Sequence, residues 1–459
     1  LQWVSLARKV PAAVVAEIRK LEMEGLGFTL DRRRFYPEGS LASSLLGFVA
    51  FNEEGLDRGY NGLEGSYDGD LRGNSGKMVA TYSAYQDPIL AGDFDTLAVQ
   101  NGSDLYLTIN RGVQSLLDKK LVEGVKRFGA KSGSYVVLES STGKVLAMGN
   151  YPNFSPGNFN LFTSPKAARP TYPPTLRNAA ISSSYEPGSV MKPVTIATAL
   201  ELGKIKPDWT FNDTGALKID GATINTWDGR HWGKQTLSQL LQKSNNIGAA
   251  RVAQAVGREG LRNSFNNFGF GSKLGVDLQG EEAGQVKDLI NWRNVDLANA
   301  GFGQGVAVTT LQMASAYAAF ANGGILMKPY VVEKIVDQDG RKVEFSPQPT
   351  RRVISQKTAA VVVELLRSAV EGGESIVLHN LPYRVAGKTG TAEIPEKGGY
   401  ARDRTNTIFV GFPFKEKNFV MIFRLEEPRT STFSATTVVP LWVEAFEGIA
   451  PLLGVLPSR

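Results

Sequence analysis

The chain is 459 residues long, 42% apolar and 21% charged, which excludes wholesale disorder and supports about two to four domains with buried cores. Lys and Arg number 51 against 45 Asp and Glu, a formal charge of +6 that is dispersed along the chain. It makes no case for nucleic acid but would tolerate an anionic membrane or polymer. There is no cysteine and only two histidines, His231 and His379. Thiol catalysis, disulfides and thiolate zinc sites are therefore excluded, no metal or cofactor is expected, and a serine nucleophile needs a base other than histidine.

The sequence opens at Leu1 rather than Met and has no apolar window long enough to span a bilayer, so we expect a processed or trimmed chain that has lost any membrane anchor. Residues 1–100 are rich in Gly, Asp, Tyr and Arg with one helical spacing, Pro11 to Leu21, and read as a small irregular mixed domain. A second domain, 101–459, is expected to open with a strand at Leu105 to Ile109. An amphipathic helix follows, carrying Val113, Leu116, Leu117, Leu121, Val125 and Phe128. Ser134 to Glu139 and Lys144 to Met148 predict one hairpin, and Thr407 to Phe412 with Phe419 to Leu425 a second. Between them lie helical spacings at Ser189 to Leu202, Leu237 to Val256, Leu311 to Ala321 and Thr358 to Val370. Strands at both ends and helices between predict an α+β domain whose antiparallel sheet is completed by both ends of that domain, with a helical layer between. No internal repeat or low-complexity tract is present.

Three short motifs could carry chemistry. Glu186-Pro187-Gly188-Ser189-Val190-Met191-Lys192 contains Ser-x-x-Lys, whose spacing places hydroxyl and amine on one helical face. The lysine can take the serine proton only if burial or nearby cations lower its pKa. Alone, the same residues describe a capped surface helix with a casual lysine. Ser244-Asn245-Asn246 could relay a proton and hydrogen-bond a substrate amide, or be an ordinary polar helix junction. Val385 to Ala392 contains Gly387-Lys388-Thr389-Gly390-Thr391. The phosphate-loop reading fails because Pro382 stands where that motif needs glycine. A strand anchoring a carboxylate through Lys388 and Thr389, with Gly390 admitting a ligand backbone, competes with a plain glycine-rich strand. Gly301 to Val306 reads as a tight loop rather than a dinucleotide fingerprint. His231 and His379 read as surface or packing residues.

Taken together and in this order, Ser-x-x-Lys, Ser-x-Asn and Lys-Thr-Gly resemble the active-site set of penicillin-recognising serine enzymes. Arg34 to Gly39, Leu46 to Phe48, Gly62 to Gly65 and Tyr67 to Gly73 resemble the pedestal of class B penicillin-binding proteins. Leu105 to Asn110, Tyr151 to Phe154 and Gly303 to Gly324 resemble their transpeptidase domain. Tyr185 to Pro193 and Leu241 to Gly248 look most like the septal, division-specific (FtsI-like) branch. The family's membrane helix and first pedestal box have no counterpart in this sequence.

The resemblance implies a penicillin-binding, serine β-lactamase-like domain, an antiparallel sheet sandwiched by helices plus an all-helical lobe, behind a smaller mixed pedestal. It implies that Ser189 attacks the bond between the terminal D-alanines of a peptidoglycan stem peptide, with Lys192 as base and Ser244 passing the proton on. Asn246 would hold the substrate amide, and Lys388, Thr389 and Thr391, with Gly390 among them, would bind the terminal carboxylate. Backbone N–H groups of Ser189 and Thr391 would meet the oxyanion. Further implications are covalent inhibition by β-lactams and a SEDS-family glycan polymerase and divisome proteins as partners. No nucleic acid is implied. The chain would be held by an N-terminal helix in a bacterial cytoplasmic (inner) membrane, its catalytic domain periplasmic. Glu64, Tyr67 and Arg72 are expected to pack within the pedestal. Alternatives are an elongation-type transpeptidase, a D,D-carboxypeptidase or β-lactamase, and a β-lactam sensor.

Overall fold

The computed structural model describes residues 4–52, 54–79, 95–158, 174–373, 375–396 and 399–458. Its centre is one antiparallel sheet of five strands, β1 (Ser132–Glu139), β2 (Val145–Tyr151), β3 (Val385–Glu396), β4 (Gly399–Pro413) and β5 (Phe419–Glu426), in the order β3-β4-β5-β1-β2. Both expected hairpins are present, and β5 pairs with β1 from Phe419 opposite Glu139 to Glu426 opposite Ser132. Strands from before and after the helical lobe thus complete one sheet.

Both faces of that sheet are buried, which is why its strands read as near-continuous apolar runs. Tyr135, Val137, Phe419, Met421 and Phe423 point to one core, where α1 (Arg111–Phe128) packs with the last long helix, Val438–Ile449. Val136, Leu138, Val420 and Ile422 point to the other. That second core is filled by a helical lobe containing α2 (Lys192–Glu201), α3 (Leu237–Gln242), α4 (Asn246–Val256), α5 (Thr310–Ala321) and α6 (Gln356–Glu371), and the last long helix is α7. The period-2 alternation of each strand therefore feeds two separate hydrophobic clusters.

Two expected helices are redrawn. The run from Ser189 begins as a single 3-10 turn, Gly188–Met191, and becomes α-helical only at Lys192. The run from Leu237 to Val256 is two helices, broken at Lys243 to Asn245, because Asn245 caps α4 by accepting from the Gly248 N–H at 2.9 Å. Four short ribbons between residues 210 and 352 among the described residues, including Ala216–Ile219 paired with Ala222–Asn225, were outside the expected elements.

Residues before 108 form short elements, including the ribbon Phe48–Phe51 with Asp57–Tyr60. The helix there covers Ala12–Arg19. Asp104–Leu107 is a strand that pairs with Val332–Val336. Glu64 is buried and accepts from Arg34 Nε at 2.6 Å and Tyr36 Oη at 3.2 Å, the internal packing role expected of it. Arg72 makes a half-exposed pair with Asp68 at 3.6 Å. Tyr67 differs: its hydroxyl donates to Asp277 Oδ2 at 3.0 Å, far along the chain, so it ties the N-terminal region to the lobe. No helix among the described residues is long and apolar enough to cross a membrane.

Trp442 anchors the α7 side of the sheet. It is fully buried, stacks on Phe446 at 4.7 Å, meets Phe409 edge-on at 4.7 Å and donates from Nε1 to the Met421 carbonyl at 2.9 Å. Trp442→Ala should lower unfolding stability by about 3–5 kcal/mol. A denaturant midpoint equal to wild type would show that α7 does not hold the sheet.

Candidate active site

The redrawn start of the first lobe helix matters chemically. In a 3-10 turn side chains three apart eclipse, and the Lys192 N–H closes this turn on the Ser189 carbonyl. Ser189 and Lys192 therefore share a face more directly than α-helical spacing provides. The turn is held from outside: Gly188 N–H donates to Gly303 O at 3.1 Å, and Tyr317 Oη donates to Val190 O at 3.0 Å. Pro193, in the first turn of α2, lacks only an N–H that has no intrahelical partner there.

The break between α3 and α4 delivers the second motif. Ser244 sits at φ +51, a left-handed conformation uncommon for a residue with a side chain. Its carbonyl and hydroxyl both face Lys192, whose Nζ donates to Ser244 O at 2.5 Å and to Asn246 Oδ1 at 2.8 Å and lies 3.2 Å from Ser244 Oγ. Asn246 donates from Nδ2 to Asn225 O at 3.1 Å. Asn245, beyond capping α4, donates to Asp213 Oδ2 at 2.7 Å, so the middle residue of the motif is a buried structural anchor.

The third motif lies on β3, as expected. Lys388 Nζ donates to the same Ser244 Oγ at 3.1 Å and to Thr389 O and Oγ1 at 3.2 Å each. One hydroxyl is thus shared by two lysine amines. The strand reaches the Ser189 turn because Gly390 has no side chain: a Cβ there would stand 2.8 Å from Pro187 O and 3.0 Å from Val190 Cγ1. The close approach foreseen at Gly390 is therefore made by the chain's own turn. Gly188, at φ +57, faces Thr391 O and Ala392 across the same contact.

Electrostatics separate the two amines. Lys192 is fully buried, and burial first, then the charge of Lys388, pull its pKa well below the ordinary lysine value of 10.5. A neutral amine has two N–H donors, matched by Ser244 O and Asn246 Oδ1, and one lone pair left to accept a proton. Lys388 donates to the same hydroxyl from the strand side and to both oxygens of Thr389. The Ser189 hydroxyl is partly exposed and makes no hydrogen bond among the described residues.

Sequence reasoning did not reach three residues here. Ser434 donates to the Gly390 carbonyl, accepts from Ile408 N–H at 3.2 Å and meets Thr391 Oγ1 at 2.9 Å. Trp227 and Phe433, about half exposed, meet edge-on at 5.7 Å, and Trp227 Nε1 donates to Lys243 O at 3.0 Å. These two rings span the gap between the Ser244 side and the β3 side. No local pattern marks them, because each lies in a loop whose position only the fold sets. His231 is exposed, and His379 closes the short helix Ile376–His379.

A serine and a buried amine beside a cationic strand, on an antiparallel sheet with a helical lobe, define a penicillin-recognising serine acyltransferase. The family profile of the penicillin binding protein transpeptidase domain matches residues 133–440, and that of the penicillin-binding protein dimerisation domain matches residues 2–107. Stage V sporulation protein D of Bacillus subtilis is 32% identical over 98% of this chain and 69% of its own length. Peptidoglycan D,D-transpeptidase FtsI of Escherichia coli is 29% identical over 100% and 74%. The structure of penicillin binding protein 3 from Mycobacterium tuberculosis complexed with aztreonam superposes with a TM-score of 0.78 at 30% identity, covering 93% of this chain and 91% of that one. The chain belongs to the class B penicillin-binding proteins and is a peptidoglycan D,D-transpeptidase of the serine acyltransferase kind.

Ser434→Ala would remove its hydrogen bonds to the Gly390 carbonyl and the Ile408 N–H, at a cost of about 1–3 kcal/mol. A lowered denaturant midpoint is expected; an unchanged one would mean that Ser434 does not fix β3.

Proposed function

We propose that Ser189 is the nucleophile, Lys192 its general base, and Ser244 the relay between them and the leaving group. The observation that carries this is the single Ser244 hydroxyl shared by a buried, pKa-lowered amine and a second amine on β3. In the first half-reaction Ser189 Oγ bonds to the carbonyl carbon between two D-alanines, and its proton moves to the Lys192 lone pair. The C–N bond breaks, and the proton passes through Ser244 Oγ to the departing D-alanine amine. In the second half-reaction an amine of a neighbouring stem peptide attacks the ester, loses its proton by the same relay, and leaves Ser189 free. Lys388, Thr389 and Thr391 would take the terminal carboxylate. The N–H groups of Ser189 and Thr391 would face the oxyanion, each such donor being worth about 3–4 kcal/mol in the transition state. Asn246 positions Lys192 in the resting site, and its amide would turn to a substrate amide on binding.

The proposal extends to the whole chain. Residues 1–100 would be a pedestal and 101–459 the catalytic domain. The septal likeness of Tyr185 to Pro193 and Leu241 to Gly248 supports a division role over an elongation role. A SEDS-family polymerase and divisome proteins would dock on the pedestal, with the chain anchored in the cytoplasmic membrane and the site periplasmic. The N-terminal region argues against the smaller carboxypeptidases and β-lactamases, and rapid penicillin turnover by the purified chain would reverse that.

Penicillin should add one acyl group to the wild-type chain, mapped by mass spectrometry to Ser189, and none to Ser189→Ala. Equal labelling of both would remove the nucleophile. The acylation rate should rise with pH as Lys192 loses its proton. Lys388→Gln removes a positive charge from beside Lys192, so the pKa of Lys192 should rise and this limb move to higher pH by about one unit. A limb that stays in place or moves to lower pH would contradict the coupling.

A further inference from the structure

Glu186 stands three residues before Ser189, and the mechanism above gives it no task. Its Oε1 accepts from two donors, the Gly305 N–H at 2.9 Å and Tyr400 Oη at 3.3 Å. Its Oε2 is buried and meets no hydrogen-bond partner among the described residues. Burial raises the pKa of this carboxyl, while Gly305, Tyr400 and the charge of Lys287 act in the opposite direction. A carboxylate kept only for stability would be better served with both oxygens paired or in water.

The two donors come from separate parts of the chain. Gly305 belongs to the loop that also supplies Gly303 O to the N–H of Gly188. Tyr400 lies opposite Pro395 at the outer end of the β3–β4 hairpin, whose inner part carries Lys388 to Thr391. One carboxylate oxygen therefore joins the Ser189 turn, the Gly303 to Gly305 loop and the far end of the motif-bearing hairpin.

We propose that Glu186 is a positioning residue for acylation: by holding Gly305 and Tyr400 on one oxygen it sets the spacing of the Ser189 turn from Gly390 and Thr391. This rests on the assignment of Ser189 as nucleophile. Glu186 need not touch substrate. Its effect reaches the reacting atoms through the turn and the hairpin, so it should be felt in the chemical step and not in initial binding.

The test uses the full chain and a chromogenic cephalosporin in stopped flow, resolving the non-covalent dissociation constant from the acylation constant. Glu186→Ala should lower the acylation constant about tenfold or more and leave the dissociation constant within about twofold. Tyr400→Phe should show a smaller loss of the same kind. The double variant should be no slower than Glu186→Ala alone, since both changes remove one shared contact. Glu186→Gln keeps an acceptor oxygen and should recover part of the rate.

An acylation constant for Glu186→Ala within about twofold of wild type, or a loss appearing wholly in the dissociation constant, would overturn the proposal. So would multiplicative effects in the double variant. Should Glu186→Ala fail to fold, Tyr400→Phe decides alone: an unchanged acylation constant overturns the proposal and a lowered one supports it. No acylation of the wild-type chain would instead remove the reading of Ser189, and this one with it.

Discussion

Two lysine amines, one fully buried and the other nearly so, share one hydroxyl, and the chemistry proposed for the site depends on that arrangement. Two unit charges 4 Å apart repel by about 4 kcal/mol at an effective dielectric of 20, falling inversely with distance. Both amines therefore cannot keep their protons without cost. Lys192 has no exposed surface, and burial together with the charge of Lys388 lowers its pKa, while Lys388 donates to Ser244 and Thr389 oxygens. In the proposed mechanism the same residue type thus serves as a base at Lys192 and as a cation at Lys388.

The sheet and the helical lobe bring three distant segments to that point. The sheet is built from strands on both sides of the helical lobe in sequence, and the edge strand β3 is braced by β4 and β5 where it meets the Ser189 turn. Gly390 lets backbone approach backbone there, and Ser434 ties the strand to the turn that precedes α7. On the opposite side, the left-handed Ser244 exists because Asn245 caps α4 and is itself held by Asp213. The same α3–α4 junction that looked like a routine helix boundary is what aims a hydroxyl at two amines.

The outline of the sheet, its hairpins and most helices was legible, because each rests on a local period of two or 3.6 residues. The three motifs were legible by their order. What could not be read depends on distance along the chain. Nothing near Tyr67 announces Asp277, and nothing near Ser434 announces Gly390. The 3-10 turn at Ser189 looks like α-helix in sequence because both present a polar residue three positions before Lys192. Leu237 to Val256 looked continuous because the apolar spacing carries across a break set by one cap. The lobe ribbons are runs of two to four residues with weak alternation, such as Ala216–Ile219, too short to stand out.

The proposed mechanism needs Lys192 unprotonated in the resting site. Selective 15N labelling of lysine, with Lys192 assigned by substitution to Arg, would follow its amine directly through a pH titration of the resting chain. The account requires Lys192 to lose its proton well below the ordinary lysine value of 10.5, ahead of the surface lysines. A Lys192 resonance titrating together with those surface lysines would leave the site without its base.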